Sequence, residues 1–143
     1  MYTFIQKFHS GWAYLVLLLL VFAVINSFLG LSSKKDFTAK DRKIALFALI
    51  FTHVQLVIGF VLYFVSEVGM KAFSTEGAMK IPELRLTMLE HPLINIIGIV
   101  LITIGWSSHK KQESSNGKFK KIAIFYGLGL LLILSRIPWS LWF

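Results

Sequence analysis

The sequence predicts an all-α integral membrane protein, a four-helix transmembrane bundle with up-down topology and both termini outside. Two observations support this prediction. Four apolar stretches divide the chain, and each is about as long as the ~20 residues with which a helix crosses a ~30 Å bilayer core. In addition, 56% of the 143 residues are hydrophobic, which is more than a soluble domain of this size could shield from water.

The apolar stretches belong to one domain, residues 1–143, because a chain of this length has no room for a second bundle. The first stretch is too long for the core of a signal peptide and is not followed by a small-residue cleavage site. We therefore expect it to be retained as a span. The four predicted spans cover residues 12–32, 43–66, 86–108 and 121–141.

Local signals mark the ends of these helices. Thr38 and Asp41 have the spacing of a capping box, which favours a helix start before the second span. Pro82 is typical of a first helical turn and favours a start before the third span. Pro92 predicts a kink just before it, since proline disfavours helical backbone at the preceding residue. The Ser-Ser-Asn-Gly sequence at residues 114–117 predicts a turn before the fourth span.

The charges of the loops predict the orientation. Loop 33–43 carries five basic and two acidic residues, and loop 107–121 carries five basic residues and one acidic residue. Loop 67–91, by contrast, has three basic and four acidic residues. Because basic loops stay on the cytoplasmic side, loops 33–43 and 107–121 are predicted to be cytoplasmic. The predicted location is the bacterial cytoplasmic (inner) membrane.

Charge and cysteine content argue against several function classes. The formal net charge is +8, but the basic residues lie in short loops beside apolar spans, where membrane lipids explain them better than nucleic acid. The absence of cysteine excludes disulfides, iron–sulfur clusters and the covalent attachment of c-type haem. No phosphate loop, Ser–His–Asp set or carboxylate pair points to a stand-alone enzyme. Transport is also disfavoured, because no span has an acidic residue in its core.

Four histidines are the candidate ligands for a cofactor. At ~1.5 Å per residue from the cytoplasmic end, His53 lies ~14 Å deep, near the middle of the bilayer, and His91 lies ~25 Å deep. His9 falls at or just beyond the outer headgroups. His109 stands among lysines at the inner surface, and we expect it to be solvated.

Arg136 is the residue that points most strongly to a ligand, because a guanidinium within an apolar span requires a partner or water. Its predicted depth in the fourth span is ~21 Å. In the functional interpretation it is the counter-ion of a haem propionate or the partner of a quinone oxygen. In the structural interpretation it extends toward Trp139 and the interface, or pairs with Glu90.

Two helical stripes frame the histidines. Gln55, Gly59 and Tyr63 adjoin His53, which is satisfied either by a neighbouring carbonyl or hydroxyl or by haem iron. A second stripe of polar and small residues would admit a neighbouring helix or a planar cofactor, and plain packing is the commoner use of such stripes. Its members are His91, Asn95, Gly98, Ile102 and Gly105.

A haem with two histidine ligands needs imidazoles at similar depth on opposite faces of the porphyrin. His9 and His91 differ by ~10 Å in predicted depth, and so do His91 and His53. Helix tilt and the kink at Pro92 reduce either difference. We expect His9 and His91 to be the iron ligands, with His53 as the alternative, because Arg136 and the outer surface then lie near the propionates.

Three segments of the chain resemble small bacterial four-helix membrane proteins often labelled cytochrome b. They are residues 52–64 (THVQLVIGFVLYF), 90–93 (EHPL) and 137–139 (IPW). The resemblance extends over essentially the whole chain. It implies haem b and electron transfer, and it would place the iron ligands at His9 and His91, with His53 in reserve.

These observations lead to two functional hypotheses. The first is a haem b-binding membrane protein that transfers electrons between quinol and a partner, which would be a larger membrane redox complex or further copies of the chain. The second is a non-catalytic accessory or structural subunit of a larger membrane complex. The second hypothesis does not explain why Arg136, His91 and His53 all lie within predicted spans.

Overall fold

The computed structural model describes residues 1–142, and this range is helical without strands. The elements follow one another in the order α1 (Tyr2–Ser33), α2 (Ala39–Val65), two 3-10 turns (Met70–Ser74 and Ala78–Lys80), α3 (Pro82–Arg85), a π-helical turn (Leu86–Glu90), α4 (His91–Lys110), α5 (Ser115–Ser135) and α6 (Trp139–Trp142). The four long helices are α1, α2, α4 and α5.

Within residues 1–142, three helical segments are long and apolar enough to cross a membrane. They are Tyr2–Ser33, Ala39–Ser74 and Pro82–Lys110. Large apolar side chains on them face outward, for example Leu18 at 64% and Phe22 at 53% exposure, as expected for surfaces in contact with lipid. Helix α5 has a similar length, but Lys118, Lys120 and Lys121 make its first turns basic.

The four long helices share one apolar core. Helix α4 packs most extensively on α5, and α1 packs on both α2 and α5. The seam between α2 and α4 is the least extensive of these four contacts. The core contains one or more buried residues of each long helix, among them Leu20, Ala48, Ile102 and Tyr126. The Tyr126 hydroxyl donates a hydrogen bond to the Ala45 carbonyl (2.8 Å), which joins α5 to α2.

Several local predictions are confirmed. The Thr38 backbone N–H and its hydroxyl both donate to the Asp41 carboxylate (2.9 and 3.0 Å) at the start of α2. Pro82 occupies the first turn of α3. The irregularity expected before Pro92 is the π-helical turn at Leu86–Glu90, after which α4 continues with Pro92 in its first turn.

The bounds of the first and fourth long helices differ from those of the predicted spans. Helix α1 begins ten residues before the predicted start at residue 12, and the rings of Phe4, Phe8 and Trp12 pack in succession along this extension (centroids 6.1 and 6.0 Å apart). Helix α5 begins at Ser115, because the Ser114 hydroxyl caps it by accepting from the Gly117 N–H (3.0 Å). Residues 114–117 are therefore a helix start rather than a turn.

Helix α5 also ends at Ser135, before the predicted end at residue 141. Pro138 explains the early end, since a helix usually ends at or before the residue preceding a proline. Arg136 is consequently the first residue beyond the helix, and its side chain is 46% exposed. The sequence-based placement of Arg136 inside a continuous fourth helix is wrong.

Candidate functional site

The structure brings His9 of α1 and His91 of α4 together at one end of the bundle. Their ring centroids are 6.2 Å apart, and the ring planes are nearly perpendicular at 89°. The ~10 Å difference in depth predicted from residue counts is not observed. The extension of α1 puts His9 on a helix instead of at a loose end, and the π-helical turn directly precedes His91.

Gly59 of α2 makes room for the His9 ring. A Cβ atom at this position would lie 3.2 Å from His9 Cε1, which is closer than nearly all side-chain contacts allow. The neighbouring Gln55 donates a hydrogen bond from Nε2 to the His9 carbonyl (2.8 Å). The stripe formed by Gln55, Gly59 and Tyr63 thus does pack closely against neighbouring helices, as the sequence predicts.

The contacts of His91 favour one tautomer. His91 Nδ1 lies 2.8 Å from the Arg136 carbonyl oxygen and 3.2 Å from Asn95 Nδ2. Because a carbonyl only accepts, the shorter contact favours a proton on Nδ1. Neutral His91 therefore carries its free lone pair on Nε2, the arrangement usual for a metal-ligating histidine. Asn95 donates to the His91 carbonyl from one turn further along α4 (2.5 Å).

A cavity of about 210 Å³ surrounds this pair. Its walls are mainly aliphatic, and its polar lining includes His9, Gln55, His91 and Asn95. Two buried polar atoms at the cavity, His9 Nδ1 and Gln55 Oε1, have no hydrogen-bond partner among the described residues. Buried polar atoms are rarely left unpaired in folded proteins, so these two indicate a bound ligand or water.

A charged cluster lies beside the cavity. Glu90 Oε2 accepts from Arg85 Nε at 2.9 Å, and Glu90 Oε1 lies 3.7 Å from Arg136 Nε. The pairing of Arg136 with Glu90, one alternative of the structural interpretation, is thus observed. The participation of Arg85 was not predicted. Two guanidinium groups share one carboxylate, so the cluster keeps one excess positive charge. Arg136 is tied to the cavity through its carbonyl oxygen, which binds His91.

His53 lies apart from the pair. Its Nδ1 donates to the Leu49 carbonyl one turn earlier (2.8 Å), and Nε2 is 3.4 Å from the Thr103 hydroxyl. It lines a separate shallow pocket between exposed side chains of α2, such as Ile50 and Val57. The structure therefore does not bring His53 together with His9 or His91.

The prediction that His109 is solvated is wrong. Its side chain is 2% exposed, because Phe37 from the loop before α2 covers it (ring centroids 5.4 Å apart). Nδ1 binds the Trp106 carbonyl at 2.5 Å. The neighbouring lysines suggested exposure, and nothing in the local sequence shows that Phe37 reaches this ring.

The predicted stripe that runs from His91 to Gly105 has two structural roles. Its outer part, His91 and Asn95, lines the cavity, whereas its inner part packs against α5. A Cβ on Gly105 would lie 2.6 Å from Phe125 Cβ, so that glycine is required by helix packing.

The donor set can be compared with what haem iron requires. Residues 1–142 contain no group of three or more His, Asp or Glu side chains that could hold a bare metal ion, whereas haem iron needs only two axial ligands from the protein. An iron between two imidazoles would form two metal–nitrogen bonds of about 2 Å each. With the distance from each nitrogen to the centre of its ring added, the ring centroids would lie about 6 Å apart. The observed 6.2 Å matches this separation.

The cavity is small for a complete haem macrocycle. Sites for drug-sized ligands have volumes of about 300–1,000 Å³. The present cavity is smaller, at about 210 Å³. It adjoins the seam between α2 and α4, where Leu56 of α2 and Ile99 of α4 form parts of its wall. This seam is the least extensive of the four contacts between long helices described above, so widening it would disrupt less packing than widening any of the other three.

No protein-family model, curated protein sequence or solved structure gives a significant match to this chain.

Proposed function

We propose that this chain is a membrane-embedded electron-transfer protein that holds haem b between His9 and His91. The observation that supports the proposal best is the position of these two imidazoles, 6.2 Å apart in a mainly aliphatic cavity. A haem with two histidine ligands supplies one-electron redox chemistry when it is bound.

The chain's own residues contribute orientation and charge. The Arg136 carbonyl holds His91 with its proton on Nδ1, so that Nε2 is free for iron. Gly59 leaves the space in which the His9 ring lies. The excess positive charge of Arg85, Glu90 and Arg136 would favour an anionic group, such as a propionate, beside the cavity.

The membrane arrangement is part of the proposal. We infer four spans with up-down topology, with α5 as the fourth, in a bacterial cytoplasmic membrane. Loops 33–43 and 107–121 would then be cytoplasmic, and the cavity would open toward the outer side. Electrons would be exchanged with a quinol in the bilayer, or with a larger membrane redox complex or a second copy of the chain.

An absorption spectrum tests the haem proposal directly. We expect protein expressed with ample haem and purified in mild detergent to show a Soret band and the sharp α-band of low-spin iron. His91→Ala and His9→Ala should each abolish this spectrum or convert it to high spin. His53→Ala should leave it unchanged, since His53 lies outside the cavity.

Two outcomes would contradict the proposal. A colourless protein after expression with ample haem would exclude haem binding. If colourless protein also migrated with a larger complex in mild detergent, the accessory-subunit hypothesis would replace the haem proposal. A low-spin spectrum lost in His53→Ala and kept in His91→Ala would move the ligand site away from the cavity.

A further inference from the structure

The end of the bundle opposite the cavity contains a compact aromatic cluster. Its members are Phe37 in the loop before α2, Trp106 and His109 in α4, and Phe119 in α5. Phe37 lies 5.4 Å from the His109 ring and 4.9 Å from the Phe119 ring, and His109 lies 4.6 Å from the Trp106 ring. The cluster is thus built from three separate parts of the chain.

Four cations lie over the rings of this cluster. Lys35 is 5.0 Å from the centroid of Phe119, and Lys118 is 5.7 Å from that of Phe37. The Trp106 ring has two cations, Arg42 at 5.2 Å and Lys110 at 5.7 Å. Because a ring face attracts a cation, each of these long side chains is held over a ring of the cluster.

In the described part of the chain, three of the four cations lack a carboxylate partner. Lys35 binds the buried Asp41 carboxylate at 2.7 Å. Within residues 1–142, Arg42, Lys110 and Lys118 form no ion pair with a carboxylate. These three residues come from α2, α4 and α5, and Arg42 and Lys110 are exposed. These three charges therefore lie over the rings of one aromatic cluster and remain available to an anion.

We propose that Arg42, Lys110 and Lys118 form a binding site for the headgroup of an anionic phospholipid. Helices that cross a membrane would put this end at the bilayer surface, where a basic pocket between helices is complementary to a phosphodiester. Exposed apolar residues further along the same helices, Phe47 of α2 and Ile104 of α4, provide surface for acyl chains. The proposal requires that the helices span the membrane, and it is independent of haem binding.

The test compares lipids on the full-length chain in zwitterionic detergent. Phosphatidylglycerol and phosphatidylcholine are titrated separately, and bound lipid is counted by native mass spectrometry. We expect phosphatidylglycerol to bind more tightly. Replacing each of the three cations by glutamine should weaken phosphatidylglycerol binding by about fivefold per charge. Inorganic phosphate at the same concentration should compete poorly, since it lacks acyl chains.

A matched control separates a built site from diffuse attraction. Lys43→Gln, Lys111→Gln and Lys120→Gln together remove the same number of charges from the same end, and all three are exposed. This control should bind phosphatidylglycerol nearly as well as the wild type. Equal losses in both triple variants, equal binding of the two lipids, or full competition by phosphate would each overturn the proposal.

The single variant Arg42→Gln covers the case in which the triple variant fails to fold, because Arg42 is exposed. It should keep the wild-type circular dichroism spectrum and still show the fivefold loss. A folded Arg42→Gln protein with unchanged binding would overturn the proposed site.

Discussion

Gly98 of α4 and Gly129 of α5 cross at a distance that leaves no room for a side chain on either. A Cβ on Gly98 would lie 3.0 Å from the Gly129 carbonyl oxygen, and a Cβ on Gly129 would lie 2.7 Å from that of Gly98. Small residues at a crossing let two helix backbones approach each other, which is how helices commonly associate in lipid. This crossing explains why α4 and α5 form the most extensive pair in the bundle.

Gly129→Leu should therefore force α4 and α5 apart. Overpacking of this kind costs about 1–3 kcal/mol, and we expect a clearly lowered Tm in detergent. Gly127→Leu is the control, because a Cβ at Gly127 meets no atom of the described residues within 4 Å. Equal loss of stability in the two variants would contradict the close crossing.

Gly59→Val should displace the His9 ring. The added side chain would begin 3.2 Å from His9 Cε1, so the imidazole would have to leave its position beside His91. If His9 is an iron ligand, the low-spin haem spectrum should disappear while the helical circular dichroism signal persists. Gly11→Val, where a Cβ has open space, should keep the spectrum.

Asp41→Ala should destabilise the basic end of the bundle. The Asp41 carboxylate is 3% exposed and accepts from Asn26 (3.0 Å), Lys35 (2.7 Å) and Thr38, which ties α1 to the start of α2. Loss of a buried acceptor shared by several donors costs about 1–3 kcal/mol, measurable as a lower Tm. The exposed Asp36→Ala control should change stability by no more than about 0.5 kcal/mol.

The proposed orientation can be tested by labelling, because the chain contains no cysteine. Single cysteines at Asp36, Glu113 and Glu76 should react differently with a membrane-impermeant maleimide in spheroplasts. We expect Glu76→Cys to be labelled in intact spheroplasts, and Asp36→Cys and Glu113→Cys only after lysis. The opposite pattern would invert the topology.

Some features were predictable because they depend on residues close together in sequence. The capping pair Thr38 and Asp41, the helix start at Pro82 and the irregular turn before Pro92 are local effects of side-chain hydrogen bonding and proline geometry. The early end of α5 could also have been predicted, because Pro138 is present in the sequence. It was missed because the apolar run continues past the proline.

Apolar length and composition by themselves determined that this chain forms helices suited to a membrane, because a backbone in lipid must satisfy its own hydrogen bonds. Tertiary packing decided which polar side chains meet. It brought His9 to His91, left His53 apart and buried His109 beneath Phe37. Such contacts depend on the rotation and axial position of each helix relative to its neighbours. Packing between residues that are distant in sequence determines both, and no local pattern encodes them.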